Sequence, residues 1–345
     1  MKSMHALVKT APDRAEIQQV PVPEPDASLV LIRVWAAAIC GTDLHVHHWT
    51  PWAQNAGIQL PVVMGHECCG EVVAVGRNAP GLQAGDRIAV ETHIPCGRCY
   101  QCLNGEQHIC NDLKLFSIHT NGCFAEYALV PAVCARKIPD DIPNRVGAVM
   151  EPLGTALRSV HECCVPGATV VVLGCGPIGL FAIAGAAALG AAKIIATDVS
   201  AARLEIAARM GAHQTLDPAT DDLLAAVLAA TDGIGTDAVI DASGSVAAIR
   251  QGFDCLRKGG RVALVGLPGE PLSLEIGKAV VFKEAKVIGV HGRRMFETWT
   301  LMENLLAAGK LDIEPAITHV LPLSRWQEGF DLASTGTACK VIFEP

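Results

Sequence analysis

Basic charge is in short supply here: 27 Lys and Arg face 35 Asp and Glu, leaving a net charge of −8 and a pI near 5.8. A chain with no basic stripe is a poor match for a phosphate backbone or an anionic lipid surface, so nucleic acid and membrane are not expected partners. The opening Met1-Lys-Ser-Met-His-Ala-Leu7 lacks the long apolar stretch of a secretory leader. Internal repeats and low-complexity tracts are also missing, which removes solenoids and disordered arrays. Cysteine is present, but 14 in 345 residues is too dilute for a small disulfide scaffold. The expected compartment is a reducing cytoplasm.

One stretch, Cys163 to Ala192, carries no charge and is long enough to cross a bilayer. Its interruptions argue for something else. Pro166-Gly167 opens it, and Gly174, Gly176, Pro177 and Gly179 break its middle. The run Thr169 to Leu173 is β-branched and of strand length. Pro177 to Leu189 is rich in Ala and Leu, with Pro at a first helical position and Gly190 as a stop. A buried strand–turn–helix accounts for the pattern.

A chain of this length ordinarily makes two domains, and a half-apolar composition fills two cores. The first part is punctuated by Gly and Pro, with short β-rich runs at Leu29 to Val34, Val62-Val63, Glu71 to Val75, Arg87 to Val90 and Phe124 to Val130. From about Glu151 the texture changes. Strands at Val170–Leu173, Lys193–Thr197, Ala238–Asp241 and Arg261–Val265 alternate with helical patterns such as Ala201–Met210 and Asp221–Ala230. That alternation predicts βαβ units and a doubly wound parallel sheet. After Gly292 a helical pattern, Met295 to Ala308, precedes a closing strand, Lys340 to Phe343.

Cys96, Cys99, Cys102 and Cys110 are spaced C-x2-C-x2-C-x7-C. Four thiolates this close suit one tetrahedral zinc in a closed, structural site, with a disulfide framework or an iron–sulfur cluster as the alternatives. The doublets Cys68-Cys69 and Cys163-Cys164, with Cys123, Cys134, Cys175, Cys255 and Cys339, read as small buried apolar residues. Cys40, His66 and Glu67 mix sulfur, nitrogen and oxygen, and Glu151 adds a further carboxylate. Such a set suits a zinc with an open position, although spacing alone does not bring the residues together.

Gly174-Cys-Gly-Pro-Ile-Gly179 follows a predicted strand and opens a predicted helix, the setting in which G-x-G-x-x-G binds a dinucleotide. The glycines permit a tight turn and a close approach to a pyrophosphate at a helix N-terminus. Asp198 ends the next strand at the distance expected of a ribose contact and selects NAD, with Arg203 close behind.

Taken in order, Cys40, Gly65-His66-Glu67, the cysteine ladder, Gly174 to Gly179 and Asp198 make the chain resemble the zinc-dependent medium-chain dehydrogenase/reductase family over almost its whole length. Within the family, Cys40-Gly-Thr-Asp-Leu-His45, His48-Trp49-Thr-Pro-Trp52 and Gly292-Arg-Arg-Met-Phe-Glu-Thr-Trp299 look most like members that oxidise the secondary alcohol of an amino acid. The resemblance implies a GroES-like catalytic domain over residues 1–150, a Rossmann domain over 151–291, a returning segment over 292–345, and a homotetramer. It implies one catalytic zinc at Cys40, His66 and Glu67, one structural zinc at the ladder, and a Thr42–His45 proton relay. It further implies NAD contacts from Ile178, Asp198, Arg203, Val265, Gly266, Leu267, Val290 and His291. Two departures stand out. Glu151-Pro-Leu-Gly-Thr-Ala156 replaces what looks like Asp-Pro-Phe-Gly-Asn-Ala in those members, and His291 replaces a Tyr. Glu-Pro is what polyol-oxidising members show, so a polyol or vicinal diol is the alternative substrate. A zinc-stabilised dinucleotide-binding protein without catalysis is the non-enzyme alternative. It would have no use for Cys40, His66 and Glu67 together.

Overall fold

The computed structural model describes residues 2–163 and 166–345. Cys164, one of the cysteines expected to be buried, lies outside the described residues, as does Met1. The chain divides into two compact units, one of Met1–Glu151 with Ile317–Pro345 and one of Pro152–Ala316.

The first unit is organised around the strand Leu29–Ala38, which pairs along its length with Glu67–Val75, Tyr127–Pro131 and the C-terminal strand Lys340–Glu344. With neighbours on both edges it is buried almost throughout, and only Arg33 is exposed, paired to Glu71 at 2.6 Å. Its core gathers Leu7, Ile32, Met64, Phe124, Phe330 and Phe343. A hairpin of Ser3–Ala11 and Arg14–Pro21 forms a second sheet with Val62–Val63. Gly65 leads into His66 at φ +88°, where a Cβ would lie 2.4 Å from the Phe124 ring. Only glycine lets the chain turn there and deliver His66 and Glu67 to the start of a buried strand.

The second unit holds a six-stranded sheet ordered Gln214–Leu216, Lys193–Thr197, Thr169–Leu173, Thr236–Asp241, Leu256–Leu264 and Lys286–Gly289, with every pairing parallel. Its central strands are continuous apolar runs, as a sheet covered on both faces requires. The helix Pro177–Ala188 is buried nearly all round, which explains the missing charge between Cys163 and Ala192. Among the described residues, no helix is long and apolar enough to cross a membrane.

The return to the first unit begins at Ile317, not at Gly292. The helix Glu297–Ala307 buries Thr298, Trp299, Met302 and Leu305 and stays in the second unit, so residues 292–316 belong there.

Candidate active site

The ligand atoms of Cys40, His66 and Glu67 all lie within 4.8 Å of one another, and His66 and Glu67 are buried. Cys40 precedes the short helix Gly41–His47, and its N–H donates to Asp43 Oδ2 at 2.9 Å. Asp43 is buried, with Oδ1 3.7 Å from His66 Nδ1, and Ser117 Oγ lies 3.3 Å from the same nitrogen. With Nδ1 held on that side, Nε2 is the nitrogen left for a metal. Burial opposes the charge on His66, but the Asp43 carboxylate and then Cys40 outweigh it, and its pKa stands well above the usual value. Burial raises the Asp43 pKa, with His66 pulling the other way.

Glu67 is fully buried, and its Oε1 accepts no hydrogen bond. Its Oε2 meets Lys340 Nζ at 2.5 Å, and Lys340 also donates to Ile39 O at 2.8 Å. Burial raises the Glu67 pKa, against the pull of Lys340, while the Glu67 charge raises Lys340 despite burial. Thiolate, imidazole and an orphaned carboxylate oxygen converging in a buried place fit a zinc ion. Glu151 is also buried, and its charge acts on His66, Glu67 and Lys340, but its oxygens stand outside the convergent set.

Thr42 Oγ1 is 3.7 Å from Cys40 Sγ. His45 shares the helix with Thr42, yet its Nδ1 faces Thr50 Oγ1 at 3.1 Å and its ring lies 5.8 Å from that of Trp52. A Thr42–His45 relay therefore requires a bridging group. Trp52 is 40 % exposed and Trp49 half-buried, so neither is a core residue.

The sulfur atoms of Cys96, Cys99, Cys102 and Cys110 also gather within 4.8 Å. Backbone N–H groups of Cys102 and Asn111 pull the Cys99 pKa down to about 6, whereas burial pushes Cys102 up to about 12. Four sulfurs in such contact ionise together only around a cation, and their number and type fit zinc.

In the second unit, Gly174 through Gly179 links the strand Thr169–Leu173 to the helix Pro177–Ala188, whose N-cap is Gly176 and first residue Pro177. A Cβ on Gly179 would lie 1.8 Å from Gly174 O, so helix and turn touch only because it is glycine. Asp198 does more than end its strand. Its Oδ2 accepts from Cys175 N–H at 2.7 Å and its Oδ1 from Ser200 N–H at 2.8 Å, with Arg203 Nη1 4.0 Å away. Val265 and Gly266 donate to Asp241 O, and Val290 donates to Leu264 O, each at 3.0 Å. Arg158 Nη1 donates to His291 O at 3.0 Å. Ile178 and Val290 are half-buried, and Leu267 and His291 are exposed. Ile178, Asp198, Val265, Gly266, Leu267, Val290 and His291 follow the C-terminal ends of parallel strands, where open α/β sheets bind ligands.

Sequence reasoning passed over Asp43, Ser117 and Lys340. Asp43 sits inside the Cys40-to-His45 run, where its charge among small and apolar neighbours is the signal for it. Nothing local marks Lys340.

Two family profiles match the chain: an alcohol dehydrogenase GroES-like domain over residues 26–140 and a zinc-binding dehydrogenase over residues 177–308. An L-threonine 3-dehydrogenase of Bacillus licheniformis is 42 % identical over 344 residues, covering 99 % of both chains. A Sinorhizobium meliloti chain described as a zinc-binding dehydrogenase, solved with NADP, superposes with a TM-score of 0.92 at 31 % identity over 100 % of both chains. A 2R,3R-butanediol dehydrogenase of Bacillus subtilis gives a TM-score of 0.90 at 27 % identity, covering 99 % of this chain and 100 % of that one.

Proposed function

The chain belongs to the zinc-binding alcohol dehydrogenase family, and on that premise we propose that it oxidises the secondary hydroxyl of L-threonine to 2-amino-3-oxobutanoate, with NAD taking the hydride. The observation that carries this reading is the convergence of Cys40, His66 and Glu67 in a chain 42 % identical to a threonine dehydrogenase along its length.

Cys40, His66 and Glu67 would hold a zinc ion, with Glu151 close behind, and that zinc would supply Lewis acidity that lowers the pKa of the substrate hydroxyl. Asp43 and Ser117 hold the His66 ring so that it presents one nitrogen. Thr42 accepts the hydroxyl proton as its own passes, through a bridging group, toward His45, whose exposed imidazole hands it on to water. Gly174, Gly176, Ile178 and Gly179 would receive the pyrophosphate, Asp198 and Arg203 the ribose, and Val265, Gly266, Leu267, Val290 and His291 the nicotinamide half. Cys96, Cys99, Cys102 and Cys110 would hold a second, structural zinc. The working form is a cytoplasmic homotetramer.

A vicinal-diol or polyol substrate is the second reading, favoured by Glu151 and by the likeness to the butanediol enzyme. The test is NADH formation by the zinc-loaded protein with L-threonine, 2,3-butanediol or sorbitol, each with NAD and NADP. Threonine-dependent NADH is expected. Turnover of the diol or polyol alone would transfer the assignment to the second reading.

A further inference from the structure

The helix Gly41–His47 ends in a pattern that ordinarily calls for glycine. Trp49 N–H donates to Val46 O at 3.3 Å and Thr50 N–H to His45 O at 3.1 Å, the paired bonds of a Schellman turn. The residue that must then be left-handed is Trp49, at φ +50°. A bulky side chain in that region is strained and persists only where its surroundings hold it.

Those two bonds, with His48 N–H to Leu44 O at 2.9 Å, satisfy the carbonyls of Leu44, His45 and Val46. The remaining carbonyl of the last turn, His47 O, is taken by Lys9 Nζ at 2.6 Å. Lys9 also donates to Pro12 O at 2.9 Å, and its Nζ lies 6.0 Å from the centre of the Trp49 ring. This lysine is 0 % exposed, and burial lowers its pKa while Asp13 works the other way. A fully buried ammonium is costly and rarely found without a task. Here it places positive charge at the negative end of a helix and against an aromatic face.

We propose that Lys9 is a positioning residue for the reactive site: by closing the carbonyl end of the helix that carries Thr42 and His45, and by holding Trp49 in its left-handed turn, it sets where the relay groups stand. The proposal rests on the reading of Thr42 and His45 given above.

The test compares Lys9→Met, Lys9→Arg and wild type as full-length, zinc-loaded proteins. Amide hydrogen exchange over residues 41–50 is followed beside kcat and KM for L-threonine and for NAD. Lys9→Met is expected to exchange His48, Trp49 and Thr50 at least tenfold faster and to lose about tenfold in kcat, as a small misplacement of reacting groups does. KM for NAD should not change, whereas a general loss of structure would move it. Lys9→Arg should recover part of both losses, and Trp49→Gly in the Lys9→Met background should restore protection, because glycine takes the turn freely. If Lys9→Met does not fold, Lys9→Gln supports the same comparison. Unchanged exchange over 41–50 in a folded variant overturns the proposal. A wild type that turns over no alcohol defeats the functional reading alone, since exchange still reports on the helix end.

Discussion

Asp198 shows how one carboxylate can carry two duties. Both of its oxygens accept backbone N–H groups, one from the glycine turn and one from the start of the next helix. Removing it should therefore loosen the glycine turn as well as the ribose contact proposed for it. Asp198→Ala is expected to lose NADH affinity by tenfold or more, since hydrogen bonds to charged groups contribute roughly 1.5–3 kcal/mol each. NADP should not become the preferred cofactor. Fluorescence titration with both nucleotides checks this. His47 makes a different point about protons. Its ring packs against His48, Trp326 and Phe330, and burial, with help from His48 and Lys9, lowers its pKa below 6.5, against the pull of Asp331. The unfolded chain binds that proton near 6.5 while the folded one resists it, so the folded state loses stability as pH falls through 6.5 toward the lower folded value. Urea unfolding between pH 7.5 and 5.5 should show the decline, and His47→Gln should flatten it.

At the scale of elements, the lobe that holds the four cysteines has little else to hold it. Its regular structure is a pair of two-residue strands, His93–Ile94 and Lys114–Leu115, with short helices at Tyr100–Leu103 and Gln107–Ile109. So small a core does not fold by burial alone. Cys99→Ser is expected to release the metal of this lobe and make residues 97–109 an early site of limited proteolysis, while the parallel sheet keeps its amide protection. Zinc analysis and peptide mapping of the nicks test this. The elements that were legible in the sequence are those whose pattern is local. The strand Lys193–Thr197 has its predicted ends, and the parallel strands show as unbroken apolar runs because both faces are covered. The opening hairpin was not legible, since its first strand buries Lys9 among its apolar residues. The helix Met150–Cys163 was obscured by Pro152, which reads as a boundary but sits in the first turn, where proline is tolerated. The left-handed turn at Trp49 escaped because the usual signal for it is a glycine. At the site, Cys40, His66 and Glu67 could be named from their types and order, but Lys340 is 301 positions from Ile39, the residue it bonds.

For the whole molecule, that long-range contact ties the last strand to the proposed metal ligands. Lys340 and Glu67 are both out of water and neutralise one another. Lys340→Met would leave a carboxylate buried without its cation, a loss of about 3–5 kcal/mol in comparable pairs. The variant is expected to unfold at markedly lower urea concentration than wild type, and Glu67→Gln in the same chain should recover part of the difference. Urea unfolding of the zinc-free proteins decides.

The same strand sets an order of events during synthesis. Ile342 pairs with Ala38, and Val341 O accepts the N–H of Ile39, so the edge beside Cys40 is closed by residues made about 300 positions later. At about 5–20 residues per second, the 301 positions separating Lys340 from Ile39 correspond to roughly 15–60 s on a ribosome. Throughout that interval the nascent first unit has an open sheet edge and an unneutralised Glu67. The parallel-sheet unit, encoded as one uninterrupted block, can be complete before the unit that precedes it.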